Sequence, residues 1–213
     1  MTKLEGLRRS ARLNWEGLCY VRGLLAEGVS EWEMIEAFRQ YTMGRGASKM
    51  AFDPIVGFGD HTAIPHHRGS DRKLKRGDPV TLDVGVILDG YASDCTRSFV
   101  FGGEEREMGR VVLEAFQLAL TMCKPDVDFL DINNAVVKFF EGKGVGHLVK
   151  HRIGHGICHE VHEPPLAHGD DRMLREGIAI TIEPGLYEDG KMGYRHEDTV
   201  IITRDGYEDL YEK

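Results

Sequence analysis

Two stretches of this chain repeat. GSDRKLKRGDPVTLDVG (69–85) and GDDRMLREGIAITIEPG (169–185) coincide at seven of seventeen positions, at a constant offset of 100. Most mismatches are mild: Lys75 with Arg175, Val80 with Ile180, Leu82 with Ile182, Asp83 with Glu183. GYASDCT (90–96) and GYRHEDT (193–199) follow at an offset of 103, with Asp94 facing Glu197. Two matches in the same order and at nearly the same offset point to a duplication. They predict two similar halves, about 6–102 and 103–210, packed about a pseudo-twofold axis. Four carboxylates then fall at equivalent points: Asp83 and Asp94 from one half, Glu183 and Glu197 from the other.

Local patterns give both halves the same order of elements. Leu7, Leu13, Leu18, Val21 and Leu25 follow helical spacing. Ser30 with Glu33 forms a capping box that opens a second helix, which ends near Gly44 and Gly46. Strands are expected over 55–59, 80–88 and 91–101. A third helix is expected over 104–123, stopping before Pro125, and a fourth over 129–141, with Asp128 as N-cap. Strands at 178–182 and 199–203 close the chain, with a turn at Asp189-Gly190.

Composition narrows the partners. The 213 residues carry 27 basic and 35 acidic side chains, a net charge of −8 that argues against nucleic acid. No apolar run approaches the ~18–20 residues of a membrane span. Cys19, Cys95, Cys123 and Cys158 lie far apart with no CxxC, the pattern of a reduced, cytoplasmic protein. Arg8, Arg9 and Arg12 share their stretch with Glu5 and Glu16, so the N-terminus reads as a surface helix rather than a transit peptide.

The Asp89-Gly90 turn pairs 80–88 with 91–101 as a hairpin, with Leu88 opposite Tyr91 and Asp83 opposite Thr96. Side chains alternate faces along a strand, so Asp83, Gly85, Asp94 and Thr96 share one face. Gly85, opposite Asp94, is expected to leave a space for a metal ion. Glu183 ends the apolar run Ile178-Ala179-Ile180-Thr181-Ile182 and is expected to be buried. Four converging carboxylates cannot all stay ionised without compensation, and two divalent cations would match their charge. Asp89, Asp189 and Asp205, each followed by glycine, read as turn residues instead.

His147, His151, His155 and His159 recur every fourth residue, but Gly144, Gly146, Gly154 and Gly156 make a shared helical face costly. His159-Glu160-Val161-His162 is not the HExxH of a zinc-binding helix. One histidine ligand, His155 between two glycines, is expected to complete an oxygen-rich site, with other histidines as proton donors.

The strings TLDVGVILDGYASDCTRSF, GHGICHEVHEPP, ITIEPGLY and YRHEDTV resemble the pita-bread metallopeptidases, the group of methionine aminopeptidases, aminopeptidase P and prolidase. The likeness runs from about Leu7 to Leu210. It implies a duplicated α+β pita-bread fold in a single catalytic domain spanning 1–213. It also implies two divalent metal ions held by Asp83, Asp94, His155, Glu183 and Glu197. The ligand chemistry suits Mn²⁺, with Co²⁺, Zn²⁺ and Fe²⁺ as alternatives.

PHHRGSDRKLKRGD (65–78), the SDCTRSF string and Arg195 resemble the Xaa-Pro branch, prolidase and aminopeptidase P, where methionine aminopeptidases usually carry a CHG-type string. This resemblance implies hydrolysis of Xaa-Pro bonds in dipeptides or short peptides by a metal-bridged hydroxide. His66 and His162 would contact substrate, Glu183 would shuttle a proton, and Arg195 would support the site or a substrate carboxylate. Short proline-containing peptides are the implied partners, with a homodimer compatible. The other readings are a methionine aminopeptidase and a pita-bread binding module without catalysis. Cys158 and His159 stand where prolidase-like members usually have Gly and Leu, which bears on specificity. The separate N-terminal domain of many branch members is expected to be absent.

Overall fold

The computed structural model describes residues 1–167 and 171–211, so Gly169 and Asp170 of the second repeat copy lie outside the described residues. Two helices open the chain: α1 (Lys3–Leu24), started by a Thr2/Glu5 capping box, and α2 (Glu31–Met43), started by the Ser30/Glu33 box. Strands β1 (Lys49–Met50), β2 (Ile55–Phe58), β3 (Pro79–Val84), β4 (Val86–Leu88), β5 (Tyr91–Ala92) and β6 (Cys95–Val100) follow. Helices α3 (Glu107–Met122) and α4 (Phe129–Gly142) begin the second half, with the Asp128 side chain accepting from the Leu130 N–H at 2.9 Å. Strands β7 (His155–Gly156), β8 (Glu163–Leu166), β9 (Ala179–Ile182), β10 (Gly185–Glu188), β11 (Met192–Thr203) and β12 (Gly206–Asp209) complete the chain.

The main sheet runs β2-β3-β6-β11-β9-β7-β8, with β10 and β12 also paired to β11. This is the pita-bread fold, a mixed helix and sheet architecture. Both strands of the expected hairpin break. Residues 80–88 divide at Gly85 into β3 and β4, and 91–101 divide into β5 and β6. The two halves of the hairpin then belong to different sheets, since β4 and β5 join β1 in a small three-stranded sheet. The predicted pairings of Leu88 with Tyr91 and Asp83 with Thr96 are present.

Strand alternation separates core from cavity. On one face, Val56, Leu82 and Val84 pack with Phe38 of α2, and Ile180, Ile182 and Val200 pack with Phe116 of α3 and Phe140 of α4. On the other face of the same strands stand Asp83, Thr96, Thr181 and Glu197. Burying the apolar face under the helices therefore fixes where the acids point.

The repeat recurs as equivalent contacts. Leu74 N–H donates to Val29 O at 2.8 Å and Leu74 O accepts from Gly28 N–H at 2.9 Å; Leu174 N–H likewise donates to Val127 O and Leu174 O accepts from Asp126 N–H, both at 2.9 Å. Gly77 N–H bonds Phe101 O at 2.7 Å, and Gly177 N–H bonds Ile202 O at 2.8 Å. Each leucine pins the loop before the second helix of its half to the sheet, and both side chains are buried. Leu74→Ala and Leu174→Ala should each lower the unfolding free energy by about 2–5 kcal/mol. Urea titration checks this; a negligible loss for either would separate the two contacts.

Candidate metal centre

Antiparallel pairing sets Asp83, Thr96 and Glu197 side by side across β3, β6 and β11. Asp94 immediately precedes β6, Glu183 immediately follows β9, and His155 opens β7. The five side chains thus meet on one face of the sheet, around its central strands. Asp83, Asp94, His155 and Glu197 are buried, while Glu183 retains 18% of its side-chain exposure.

His155 Nε2 lies 3.8 Å from Asp94 Oδ2 and 3.6 Å from Glu183 Oε1. Its Nδ1 lies 3.1 Å from Gly156 O. A proton on Nδ1 donated to that carbonyl leaves the Nε2 lone pair facing the carboxylates, the tautomer a metal requires. The flanking glycines have a steric reason. A Cβ at Gly154 would lie 2.1 Å from Thr181 O, and one at Gly156 would lie 2.5 Å from Glu163 O. Backbones on both sides crowd the histidine into place.

Gly85 corrects one expectation. The space beside it is filled: a Cβ there would lie 2.3 Å from Ser93 O and 2.6 Å from the Phe52 ring. The glycine permits close backbone approach and leaves no room for an ion. The open volume is instead a cavity of ≈290 Å³ lined by all five predicted ligands, by His66, His162 and Arg195, and by the apolar Phe52, Ile55 and Leu166.

Arg195 is buried and ion-paired to Asp83 Oδ2. It also donates to Tyr187 Oη at 2.5 Å, Thr96 Oγ1 at 3.2 Å and Pro65 O at 3.3 Å. Thr96 Oγ1 in turn donates to Glu197 Oε2 at 2.6 Å. His66 and His162 are exposed at the rim, and the His162 ring stands 4.2 Å from that of His155.

Sequence reasoning missed His151 and Tyr187. His151 Nε2 lies 2.7 Å from Tyr187 Oη, so Arg195, Tyr187 and His151 form one chain along the cavity wall. The fourfold histidine spacing had marked His151, but a helical period was the wrong frame for a loop. Cys158 and His159, the two departures from the prolidase-like string, stay off the cavity. His159 lies 2.8 Å from Gly90 O and packs against Tyr91.

Without a metal, these acids resist ionising. Burial, then repulsion from Glu197, Asp83 and Glu183, holds Asp94 well above the ordinary carboxylate range. Burial, then Glu183 and Asp83, does the same to Glu197. Burial pushes Glu183 up to about 8, against the pull of Arg195. Burial, with His162 nearby, lowers His155 to about 4, and burial with Arg195 nearby lowers His151 to about 4. Asp83 Oδ1 and Asp94 Oδ1 are buried with no hydrogen-bond partner. Buried polar atoms are almost always satisfied. Two orphaned carboxylate oxygens beside a neutral imidazole, with donors of Asp94, His155 and Glu197 within 4.8 Å of one another, fit divalent cations.

Residues 5–204 match metallopeptidase family M24, and the chain belongs to that family. It is 37% identical to an uncharacterized peptidase of Staphylococcus aureus strain USA300, over 99% of this chain and 62% of that one. Among solved structures it superposes on the prolidase from Pyrococcus horikoshii OT3 with a TM-score of 0.95 at 32% identity, covering 99% of this chain and 62% of that one. It superposes on the X-Pro aminopeptidase from Thermotoga maritima MSB8 with a TM-score of 0.93 at 31% identity, covering 99% and 61%. The chain therefore spans about three fifths of the length of these relatives.

The pKa shifts fix the sign of a pH effect. Glu183 rises from 4.5 to about 8 on folding, so the folded metal-free chain holds a proton that the unfolded chain has released. Such a group stabilises below its unfolded pKa, and the gain is lost as pH rises through the folded one. His151 and His155, lowered on folding, act oppositely, but only below about pH 6.5. Between about pH 6.5 and 8 the carboxylates set the slope, about 1.4 kcal/mol lost per pH unit for each retained proton. Melting of chelated protein should therefore shift to lower temperature at pH 8 than at pH 6.5, and added Mn²⁺ should raise Tm more at pH 8. An unchanged Tm across that window would rule out a shared buried carboxylate site.

Proposed function

We propose that this chain is a single catalytic domain that hydrolyses the peptide bond preceding proline in dipeptides or short peptides. Asp83, Asp94, His155, Glu183 and Glu197 would hold two divalent ions, with Mn²⁺ favoured by a set of four carboxylates and one imidazole. The observation that carries the reading is the convergence of these five donors, two of their oxygens orphaned, on a cavity with an apolar wall. The likeness to prolidases and an X-Pro aminopeptidase supports the choice of bond.

When bound, the ions supply Lewis acidity at the scissile carbonyl. Glu183 has 18% side-chain exposure against 7% for Asp94 and 8% for Asp83, so it is placed to meet substrate and pass a proton to the departing proline nitrogen. His66 and His162 at the rim donate hydrogen bonds to charge developing on the substrate oxygen. Arg195 is buried and commits four of its five N–H donors to Asp83, Tyr187, Thr96 and Pro65 O, which favours positioning a ligand over gripping a substrate carboxylate. Phe52, Ile55 and Leu166 give the pyrrolidine ring an apolar surface.

A second cavity of ≈330 Å³ shares Phe52, Ile55 and His66 with the first, which gives room for residues beyond the scissile pair. The four cysteines are free thiols, in keeping with a reducing compartment such as the cytoplasm. Among the described residues, no helix is long and apolar enough to cross a membrane.

The test is hydrolysis by metal-depleted protein with Mn²⁺ restored. An Xaa-Pro dipeptide, an Xaa-Pro-Yaa tripeptide and a Met-Ala-Ser peptide are offered separately. Cleavage of a proline substrate is expected, abolished in Asp94→Ala and reduced about 10²–10⁴-fold in kcat by Glu183→Gln. Cleavage of the Met peptide alone would move the chain to the methionine branch. No cleavage with metal bound would mean either that activity needs a part of the longer relatives that this chain does not span, or that it is a binding module.

A further inference from the structure

A second cluster of ligating side chains lies outside the cavity. Glu31, the first residue of α2, is fully buried. Its Oε1 accepts from Phe58 N–H at 2.8 Å and lies 2.9 Å from His61 Nδ1. Its Oε2 accepts from Ser70 Oγ at 2.7 Å and lies 2.7 Å from His67 Nε2. The two rings stand 4.4 Å apart.

Within this cluster the carboxylate has no lysine or arginine partner among the described residues. A buried carboxylate needs a counter-charge or it protonates. Among the described residues, the only ionisable groups in contact with Glu31 are the two imidazoles. Nearby cations are spent elsewhere, Lys73 on Glu33 and Arg72 on Asp60 and Asp78. The α2 N-terminus offers roughly half a positive charge.

We propose that Glu31, His61 and His67 bind one borderline divalent transition-metal ion of the Zn²⁺ type, separate from the carboxylate centre. Their donor atoms lie within 4.8 Å of one another. Each carboxylate oxygen has two lone pairs. On each, one is taken by a framework donor, Phe58 N–H or Ser70 Oγ, and the other faces an imidazole nitrogen. One cation among the donors satisfies both inner lone pairs. Each ring then carries its proton on the nitrogen away from the ion, or releases it. Two imidazole nitrogens and a carboxylate form a His₂Glu set, which zinc accepts. Hard ions seek more oxygen ligands, so this cluster selects differently from the four-carboxylate centre.

The framework supports such a site. Ser70 Oγ also accepts from Arg72 N–H at 3.0 Å, so the hydroxyl that holds the carboxylate is itself held. His67 adjoins His66, which lines the main cavity. An ion on His61 and His67 would tie both ends of the segment that carries His66.

The geometry stands apart from the assigned activity, and so does its test. In an Asp94→Asn/Glu197→Gln chain, which disables the carboxylate centre, equilibrium dialysis against Zn²⁺ should retain one equivalent. Co²⁺ in its place should give the visible absorption of a low-coordinate site. Adding His67→Gln should remove both signals. Ser70→Ala, which keeps all three ligands, should weaken Zn²⁺ binding about 10–100-fold. Circular dichroism of each metal-free chain confirms folding before binding is compared. A folded Asp94→Asn/Glu197→Gln chain that binds no Zn²⁺, or binds it equally with His67→Gln added, overturns the proposal. Ser70→Ala covers the case in which His67→Gln does not fold.

Discussion

Four carboxylates buried within one cavity set the terms for the rest of this structure. Like charges at that spacing cannot all ionise unless positive charge enters among them. The protein supplies one guanidinium, Arg195, and places it against Asp83. It supplies hydroxyls as well: Thr96 donates to Glu197 from the strand between the two acids. Burial, with repulsion among the acids and so few compensating contacts, pushes Asp94, Glu183 and Glu197 towards the protonated form, and two oxygens have no partner.

The duplication explains how so costly an arrangement can be built. Each half buries an apolar face under its own helix pair, and strand alternation then directs the opposite side chains inward. The acid of one half and the acid of the other arrive at the centre of the sheet without any element being specialised for the purpose. Only the imidazole has no repeat partner. His155 is fixed by different means, between two glycines whose missing side chains let neighbouring backbones close in.

What was legible in the sequence follows from this division. Caps at Ser30 and Asp128, the Asp83–Thr96 register and the shared face of the acids rest on local rules, and these hold in the structure. The hairpin was misjudged at Gly85, because the strand-like pattern of 80–88 carries no local sign that the chain changes sheets there. The space at Gly85 was misjudged for a related reason: the Phe52 ring that fills it comes from thirty-three residues away. His151 and Tyr187 escaped because their roles are tertiary, created where a loop meets β10. The Glu31 cluster was hidden in plain local chemistry, since Glu31 follows a capping serine and reads as an ordinary first-turn acid.

The two faces of the sheet show that buried charge alone does not define an ion site. Behind the cavity, Arg97 on β6 pairs with Asp198 on β11 at 2.6 Å and lies 4.9 Å from the Trp15 ring centroid. There one guanidinium meets one carboxylate, and His196 Nε2 lies 3.6 Å from the other oxygen of Asp198. The cavity face sets one buried guanidinium, Arg195, against four carboxylates, with Arg152 exposed at its edge. The strands are the same and the alternation is the same, yet only one face has a deficit that a bound cation can fill. The difference lies in the residue count on each side of the pleat, set by the choice of Asp83, Asp94, Glu183 and Glu197 at inward positions. Replacing any one of these acids by its amide would therefore do more than remove a ligand. It would lower the charge that makes a cation preferable to a proton, and so weaken the site for the ions held by the remaining ligands.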